Sequence, residues 1–146
     1  TLITSSAASD VYKRQLMYSV KVRDHLFIAH SLNHPSFGRA QNLHGATYVV
    51  DLIIQAENLL ENNIVIDIDL ATKILKECLD KLNFQNLDEQ REFEGSLTTT
   101  EFLAEFIVNS IISKLNDSSQ GISNLCSVKI ILNESHVASA SFEKKF

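Results

Sequence analysis

The chain has 146 residues, of which 45% are hydrophobic and 21% are charged, and its formal net charge is -5. This length suits one domain with a core of its own, and an acidic chain without a basic run argues against nucleic acid as a partner. No apolar run approaches the roughly 20 residues of a transmembrane helix, so we expect no membrane partner.

Residues 1–16 differ from the rest of the chain. They are rich in small polar residues and show no clear periodicity, whereas strand patterning begins at Met17. They also lack the apolar core, roughly 7–15 residues long, of a signal peptide. We therefore predict that residues 1–16 are an extraneous or disordered extension and that one domain spans residues 17–146.

Two apolar strands follow, each with a histidine at one end. Tyr18–His30 has alternating apolar residues, and His30 shares their parity, so it should face the core. A bulge near Asp24 would shift that register. His44–Ala56 is the second predicted strand. Ser31–Leu43 between them reads as a long loop, and such a loop in a compact domain is usually functional.

The next part of the chain predicts two amphipathic helices. Asp69 is placed to cap a helix that runs to about Leu82, and a second helix begins near Thr98. Asn83–Leu97 between them is polar and irregular. Cys78 lies on the apolar stripe of the first helix, so core packing explains it better than a nucleophilic role. The two cysteines have no metal-motif spacing and fit a reducing cytoplasm.

The C-terminal part contains further strand. Cys126–Asn133 and Val137–Phe142 predict a closing pair of strands, or one long bent strand. An antiparallel sheet with two helices packed on one face satisfies this order of elements, so we predict the α+β class. Oligomerisation would cover the edges that a lone four-stranded unit exposes.

Two short runs carry a resemblance to a known family: FIAHSL at 27–32 and LHGATY at 43–48. They resemble the zinc-site region of the 6-pyruvoyltetrahydropterin synthase and 6-carboxytetrahydropterin synthase family, and the similarity extends from about Met17 to Phe142. The resemblance implies the tunnelling fold, in which ββααββ units assemble into an oligomeric barrel with active sites between subunits. It also implies a homohexamer or another homo-oligomer.

The resemblance further implies zinc as a cofactor. The family's ligands match His30 and His44, but the third ligand falls at Ala46. Two protein ligands are too few, because catalytic zinc normally has three. His136 lies two residues beyond Glu134, which on a regular strand puts both on one face. We therefore predict His30, His44 and His136 as metal ligands; the alternative is that zinc is lost and His136 contacts the ligand or is structural.

The residues that hold the pterin ring in the family are largely retained. Thr99, Thr100 and Glu101 match the start of the family's second helix, and Glu134 matches the glutamate that accepts hydrogen bonds from the ring. We predict these four as substrate-binding residues. Glu101 has a second explanation, because Thr98 and Glu101 have the spacing of a capping box.

The residues that handle protons in the family are replaced. Its catalytic cysteine falls at Ala40, and its aspartate–histidine pair falls at Asn83 and Phe84. The catalytic residues are therefore unknown. Conceivable substitutes, none of which has a motif behind it, are His34, Asp88 and His136.

Three functions remain open. The first is a lyase of the family's type that acts on a reduced pterin such as 7,8-dihydroneopterin triphosphate. The second is a divergent pterin- or purine-binding protein without the parental lyase activity. The third is a different reaction on a related heterocycle, for which Arg39, Gln41 and Asn42 would recognise polar groups. In each case we expect a cytoplasmic homo-oligomer with a pterin-like small-molecule partner.

Overall fold

One sheet and two helices make up residues 16–146, the part of the chain that the computed structural model describes. The sheet has the order β3-β1-β2-β4-β5, and all its pairs are antiparallel except the short parallel pair of β1 and β3. The predicted α+β class is confirmed, whereas the predicted extension lies outside the described residues except for Leu16. The elements are β1 Tyr18–His30, β2 His44–Ala56, α1 Ile68–Asp80, β3 Gln85–Asn86, α2 Thr100–Asp117, β4 Ser127–Asn133 and β5 Ser139–Lys145.

The pairing of β1 with β2 sets the geometry of the sheet. It runs over all 13 residues of each strand, and Asp24 pairs regularly with Val50, so there is no bulge in this pair. Buried residues alternate along both strands on the side that faces the helices, which confirms the predicted parity. The register places His30 directly opposite His44, and His30 lies on the buried side.

Both helices cover the same face of the sheet. α1 packs on β1, and α2 packs on β4 and β5. The N-cap of α1 is Asp67, whose side chain accepts a hydrogen bond from the backbone N–H of Asp69 at 2.9 Å. The predicted cap at Asp69 is thus two residues too late. Cys78 is buried in the core on α1, as predicted. No helix in residues 16–146 is long and apolar enough to cross a membrane.

The start of α2 differs from its prediction by one residue. Thr99 is the N-cap, and its hydroxyl accepts a hydrogen bond from the backbone N–H of Phe102 at 3.2 Å. The capping box of Thr98 and Glu101 is therefore wrong, because Glu101 is the second residue of the helix and not the third. Thr100 and Glu101 both lie in the first turn.

Contacts with β1 organise the stretch between the helices. Asn83 Oδ1 accepts a hydrogen bond from the backbone N–H of Phe27 at 2.8 Å. Phe84 has a φ of 60°, which is unusual for a bulky residue, and its exposed ring stacks on Phe27 with centroids 5.4 Å apart. β3 and two short 3-10 turns follow, so the stretch is less irregular than predicted.

The closing pair of strands is confirmed; β4 begins one residue later than predicted, and β5 begins two residues later and ends three residues later. β4 ends at Asn133, and residues 134–138 turn the chain into β5. Glu134 and His136 therefore lie in a turn. The strand parity that put them on one face does not apply, because residues in a turn do not alternate between two faces.

Candidate functional site

A cavity of about 530 Å³ opens where β1 ends and β2 begins. The strand-end histidines, the first turn of α2 and the turn after β4 line it. This volume is within the range of small-molecule sites. All predicted site residues except His136 line this cavity: His30, His44, Thr99, Thr100, Glu101 and Glu134.

The two histidines lie side by side, with ring centroids 4.7 Å apart and planes at 61°. Each ring is held through Nδ1. His30 Nδ1 lies 2.9 Å from the hydroxyl of the buried Thr98, and His44 Nδ1–H donates to the carbonyl of Asn42 at 2.8 Å. Because a carbonyl only accepts, His44 carries a proton on Nδ1, and neutral His44 has a lone pair on Nε2.

His30 is held in its neutral form. Burial lowers the pKa of His30, and the neighbouring His44 lowers it further, against opposing effects of Thr98, Asp88 and Glu134. A neutral imidazole is the form that binds a metal ion. Thr98 was not predicted as part of this site, because its position beside a helix start suggested a cap.

The histidine pair suits a metal ion, but the predicted ligand set is not brought together. Metal-binding histidines usually use their other ring nitrogen in a hydrogen bond, as both rings do here. Within residues 16–146, however, no three His, Cys, Asp or Glu side chains converge on a possible metal position. Ala46 lies two residues after His44 and lines the cavity, whereas His136 lines a neighbouring one.

A carboxylate lines the same cavity as the histidine pair. The hydroxyl of Thr100, in the first turn of α2, donates a hydrogen bond to Glu134 Oε1. Glu134 Oε2 has no hydrogen-bond partner among residues 16–146, so it is available to accept from a ligand. Glu101 adds a second carboxylate near the helix N-terminus, where the helix dipole favours negative charge.

Tyr48 is a site residue that the sequence analysis treated only as part of a strand. It is 1% exposed and lines the cavity. Burial raises the pKa of its phenol; the neighbouring Thr100 opposes this, and the charges of Glu134 and Glu101 add to it. The phenol is therefore protonated at neutral pH. Its position in the LHGATY run was the available signal.

The suggested substitute proton carriers lie outside the cavity, and two of them have other hydrogen-bond partners. His34 caps a 3-10 turn, since its Nδ1 accepts from the backbone N–H of Ser36 at 3.1 Å. Asp88 accepts from the backbone N–H of Ser31 at 3.1 Å and from its hydroxyl at 2.5 Å. His136 contacts the neighbouring cavity.

The loop before β2 contributes apolar residues to the cavity. It forms 3-10 turns within Pro35–Gln41 that are interrupted at Gly38, whose φ is 51°. Phe37 and Ala40 line the cavity. Arg39 and Gln41 do not, so the polar residues proposed for a different reaction lie outside it.

Comparison with known proteins identifies the family. The model of the family described as 6-pyruvoyl tetrahydropterin synthase matches residues 19–145. The chain belongs to this family. A curated relative, the 6-pyruvoyl tetrahydrobiopterin synthase of Dictyostelium discoideum, is 33% identical over 87 residues, or 58% of this chain. The match spans 64% of that relative's length, which is less than two thirds.

Solved structures confirm the fold. The 6-pyruvoyl tetrahydropterin synthase of Caenorhabditis elegans has a TM-score of 0.70 at 22% identity, covering 88% of this chain and 96% of that chain. The Plasmodium falciparum enzyme has a TM-score of 0.73 at 18% identity, covering 90% and 99%. At these identities the likeness establishes the fold, and it confirms the predicted tunnelling-fold unit.

We expect His30 to lower the free energy of unfolding when the pH decreases below about 6.5, the ordinary pKa of histidine. Between that value and the lowered pKa of folded His30, the unfolded chain binds more protons, so the free energy of unfolding decreases with decreasing pH. His30→Gln removes this contribution. Urea unfolding in chelator-containing buffer should show a wild-type advantage over the variant that shrinks from pH 7 to 5. A difference that stays constant over this range would contradict the assignment.

Proposed function

We propose that this cavity binds the ring of a reduced pterin through Glu134. We further propose that the protein is a lyase of the 6-pyruvoyl/6-carboxytetrahydropterin synthase type, with a substrate such as 7,8-dihydroneopterin triphosphate. The observation that carries the proposal is the hydrogen bond from Thr100 to Glu134, which holds a carboxylate in the same cavity as the histidine pair. Family membership supports the lyase class.

The geometry of the carboxylate supports ring recognition. A carboxylate offers two acceptor oxygens in one plane, which matches a ring N–H and the amino group beside it. A ligand without these donors would leave the charge unpaired, so the site discriminates against it. Thr99 contributes indirectly, because as the N-cap it fixes the turn that carries Thr100 and Glu101.

The histidine pair supports a metal-assisted reaction. His30 and His44 would hold zinc through Nε2, since Nδ1 of each ring is engaged. When bound, zinc polarises oxygen atoms of a ligand and favours proton loss at adjacent carbons. The chain itself orients the ring at Glu134, keeps His30 neutral and holds a protonated phenol at Tyr48.

We also propose a homo-oligomer, such as a homohexamer. The sheet face opposite the helices carries half-buried apolar residues, among them Val49, Ile53 and Ile131, without a covering layer in the described chain. β5 is an edge strand, and a neighbouring subunit would pair with or cover it. The cytoplasmic location of the protein remains a prediction from the sequence.

Glu134→Gln tests ring binding. The variant keeps the shape but replaces one acceptor oxygen with a donor and removes the charge. A hydrogen bond to a charged group contributes about 1.5–3 kcal/mol, so we expect the affinity for 7,8-dihydroneopterin to fall by about ten- to a hundredfold. Fluorescence titration measures it.

Glu105→Gln is the matched control, because Glu105 is exposed on α2 and does not line the cavity. It should bind like the wild type. Equal affinity of the Glu134→Gln variant and the wild type would reject the ring-anchoring role.

A second candidate is a pterin- or purine-binding protein without the parental reaction. Three replaced positions favour it: Ala40 lines the cavity without an exchangeable proton, while Asn83 and Phe84 contact β1. Incubation with 7,8-dihydroneopterin triphosphate separates the candidates. Conversion to product supports the lyase, and binding without conversion supports the second candidate or a reaction on another heterocycle.

Ala46→His tests the metal assignment. Position 46 lies on the same strand face as His44 and lines the cavity, so a third imidazole there would join the pair. We expect zinc affinity to rise by about tenfold or more, which corresponds to 1.4 kcal/mol. Competition with a chromophoric chelator measures this affinity.

Ser19→His is the control, because Ser19 is exposed near the far end of β1. The added histidine should leave zinc affinity unchanged. If Ala46→His and Ser19→His have the same effect, the metal site is not at His30 and His44.

A further inference from the structure

An ion pair between an exposed guanidinium and a buried carboxylate joins β1 and β2 on the sheet face away from the helices. Asp51 is 4% exposed, and Arg23 lies directly opposite it across the strand pair. Arg23 donates from Nε to Oδ1 at 2.7 Å and from Nη2 to Oδ2 at 3.0 Å. The hydrogen-bonded Arg23 holds the pKa of Asp51 below its usual range, so this buried carboxylate is charged.

Asn133 connects this ion pair to the turn that carries Glu134. Its Nδ2 donates to Asp51 Oδ2 at 3.2 Å and to the carbonyl of Val49 at 2.9 Å. Asn133 is the last residue of β4, so the next residue along the chain is Glu134. Three neighbouring strands are therefore linked at the point where the chain leaves the sheet.

Few interactions hold Glu134 itself. Its backbone N–H donates to the carbonyl of Ala138 at 3.0 Å, and its side chain accepts from Thr100. Glu134 lies in a turn and its side chain is exposed. The position of its carboxylate therefore depends on the direction of the chain at the end of β4. A displacement of about 1 Å is enough to impair a polar recognition site.

The chemistry of the link also points to positioning. The Arg23 side chain is 55% exposed, and ion pairs open to solvent contribute little to stability, so this pair is weak evidence for a role in stability. A bidentate arginine–carboxylate pair is, in contrast, geometrically specific. It leaves Asp51 Oδ2 in a fixed place to accept from Asn133.

We propose that Asn133, fixed by the Arg23–Asp51 ion pair, is a positioning residue that sets the carboxylate of Glu134 for ring binding. The inference rests on the proposed function. Arg23, Asp51 and Asn133 would then contribute to ligand recognition from the opposite face of the sheet without contacting the ring.

Asn133→Ala tests the inference, and Ser127→Ala is its matched control. Ser127 donates to Gln55 at 3.0 Å, joins the same two strands at the opposite end of their pairing, and is buried. Both variants lose a side-chain hydrogen-bond donor between β2 and β4. Only Asn133→Ala should weaken binding of 7,8-dihydroneopterin, by about fivefold or more, the size of one hydrogen bond.

Asn133→Asp gives a pH-dependent change in ligand affinity that we do not expect if Asn133 is only structural. At neutral pH the new carboxylate repels Asp51 and has no proton to donate; when protonated at lower pH, it can donate to Asp51. The affinity of the variant relative to wild type should therefore recover as the pH falls from 8 to 5. Dividing the affinity of the variant by that of the wild type cancels pH effects that both proteins share. The titratable and charged groups near position 133 are Arg23, Asp51, Glu134 and His136.

Three results would overturn the inference. Equal affinities for Asn133→Ala and Ser127→Ala, with Glu134→Gln still impaired, would reject the positioning role and leave the proposed function intact. A pH-independent ratio for Asn133→Asp would also reject it, and this test remains if the alanine variant fails to fold. Unimpaired binding by Glu134→Gln would remove the proposed function and the inference together.

Discussion

The structure depends on the register between β1 and β2. Pairing runs from Tyr18 and Ala56 to His30 and His44 without interruption, and every part of the candidate site is placed relative to it. A shift by one residue would turn the side chains of one strand to the opposite face, because side chains alternate along a strand. The apolar residues on the buried side oppose such a shift, so the packing of the core also fixes the histidine pair.

The chain retains the residues proposed to bind the ring better than the residues that handle protons in the resembled family. A carboxylate held by Thr100, a buried phenol and two imidazoles remain around one cavity. The positions that handle protons in the resembled family hold residues with other tasks: Asn83 binds the backbone of β1, and Phe84 stacks on Phe27. The proposed ring binding therefore rests on more of the structure than the proposed reaction does.

The sequence predicted well wherever a regular pattern extended over many residues. The parity of β1 and β2 was correct, because 13 paired residues without a bulge preserve alternation. Predictions at the ends of elements were weaker. Three consecutive threonines at 98–100 can each cap a helix, and only the structure distinguishes Thr99, the N-cap, from Thr98, which binds His30.

Contacts between distant segments were not predictable from local patterns. His136 was grouped with the other histidines by assuming that residues 134–136 alternate as in a strand, but these residues lie in a turn. The link from Arg23 through Asp51 to Asn133 joins residues more than 100 positions apart in sequence, and no sequence motif predicts it. Tyr48 was predicted only as part of a strand, whereas in the structure it lines the cavity together with Thr99 and Thr100 at the start of α2.

A crystal structure with bound 7,8-dihydroneopterin tests the central claim most directly. We predict that the ring lies in the cavity beside His30 and His44, with its N–H and amino groups about 2.7–3.2 Å from the carboxylate of Glu134. A ring bound elsewhere, for example stacked on the exposed Phe84, or bound in the cavity without contact to Glu134, would contradict it.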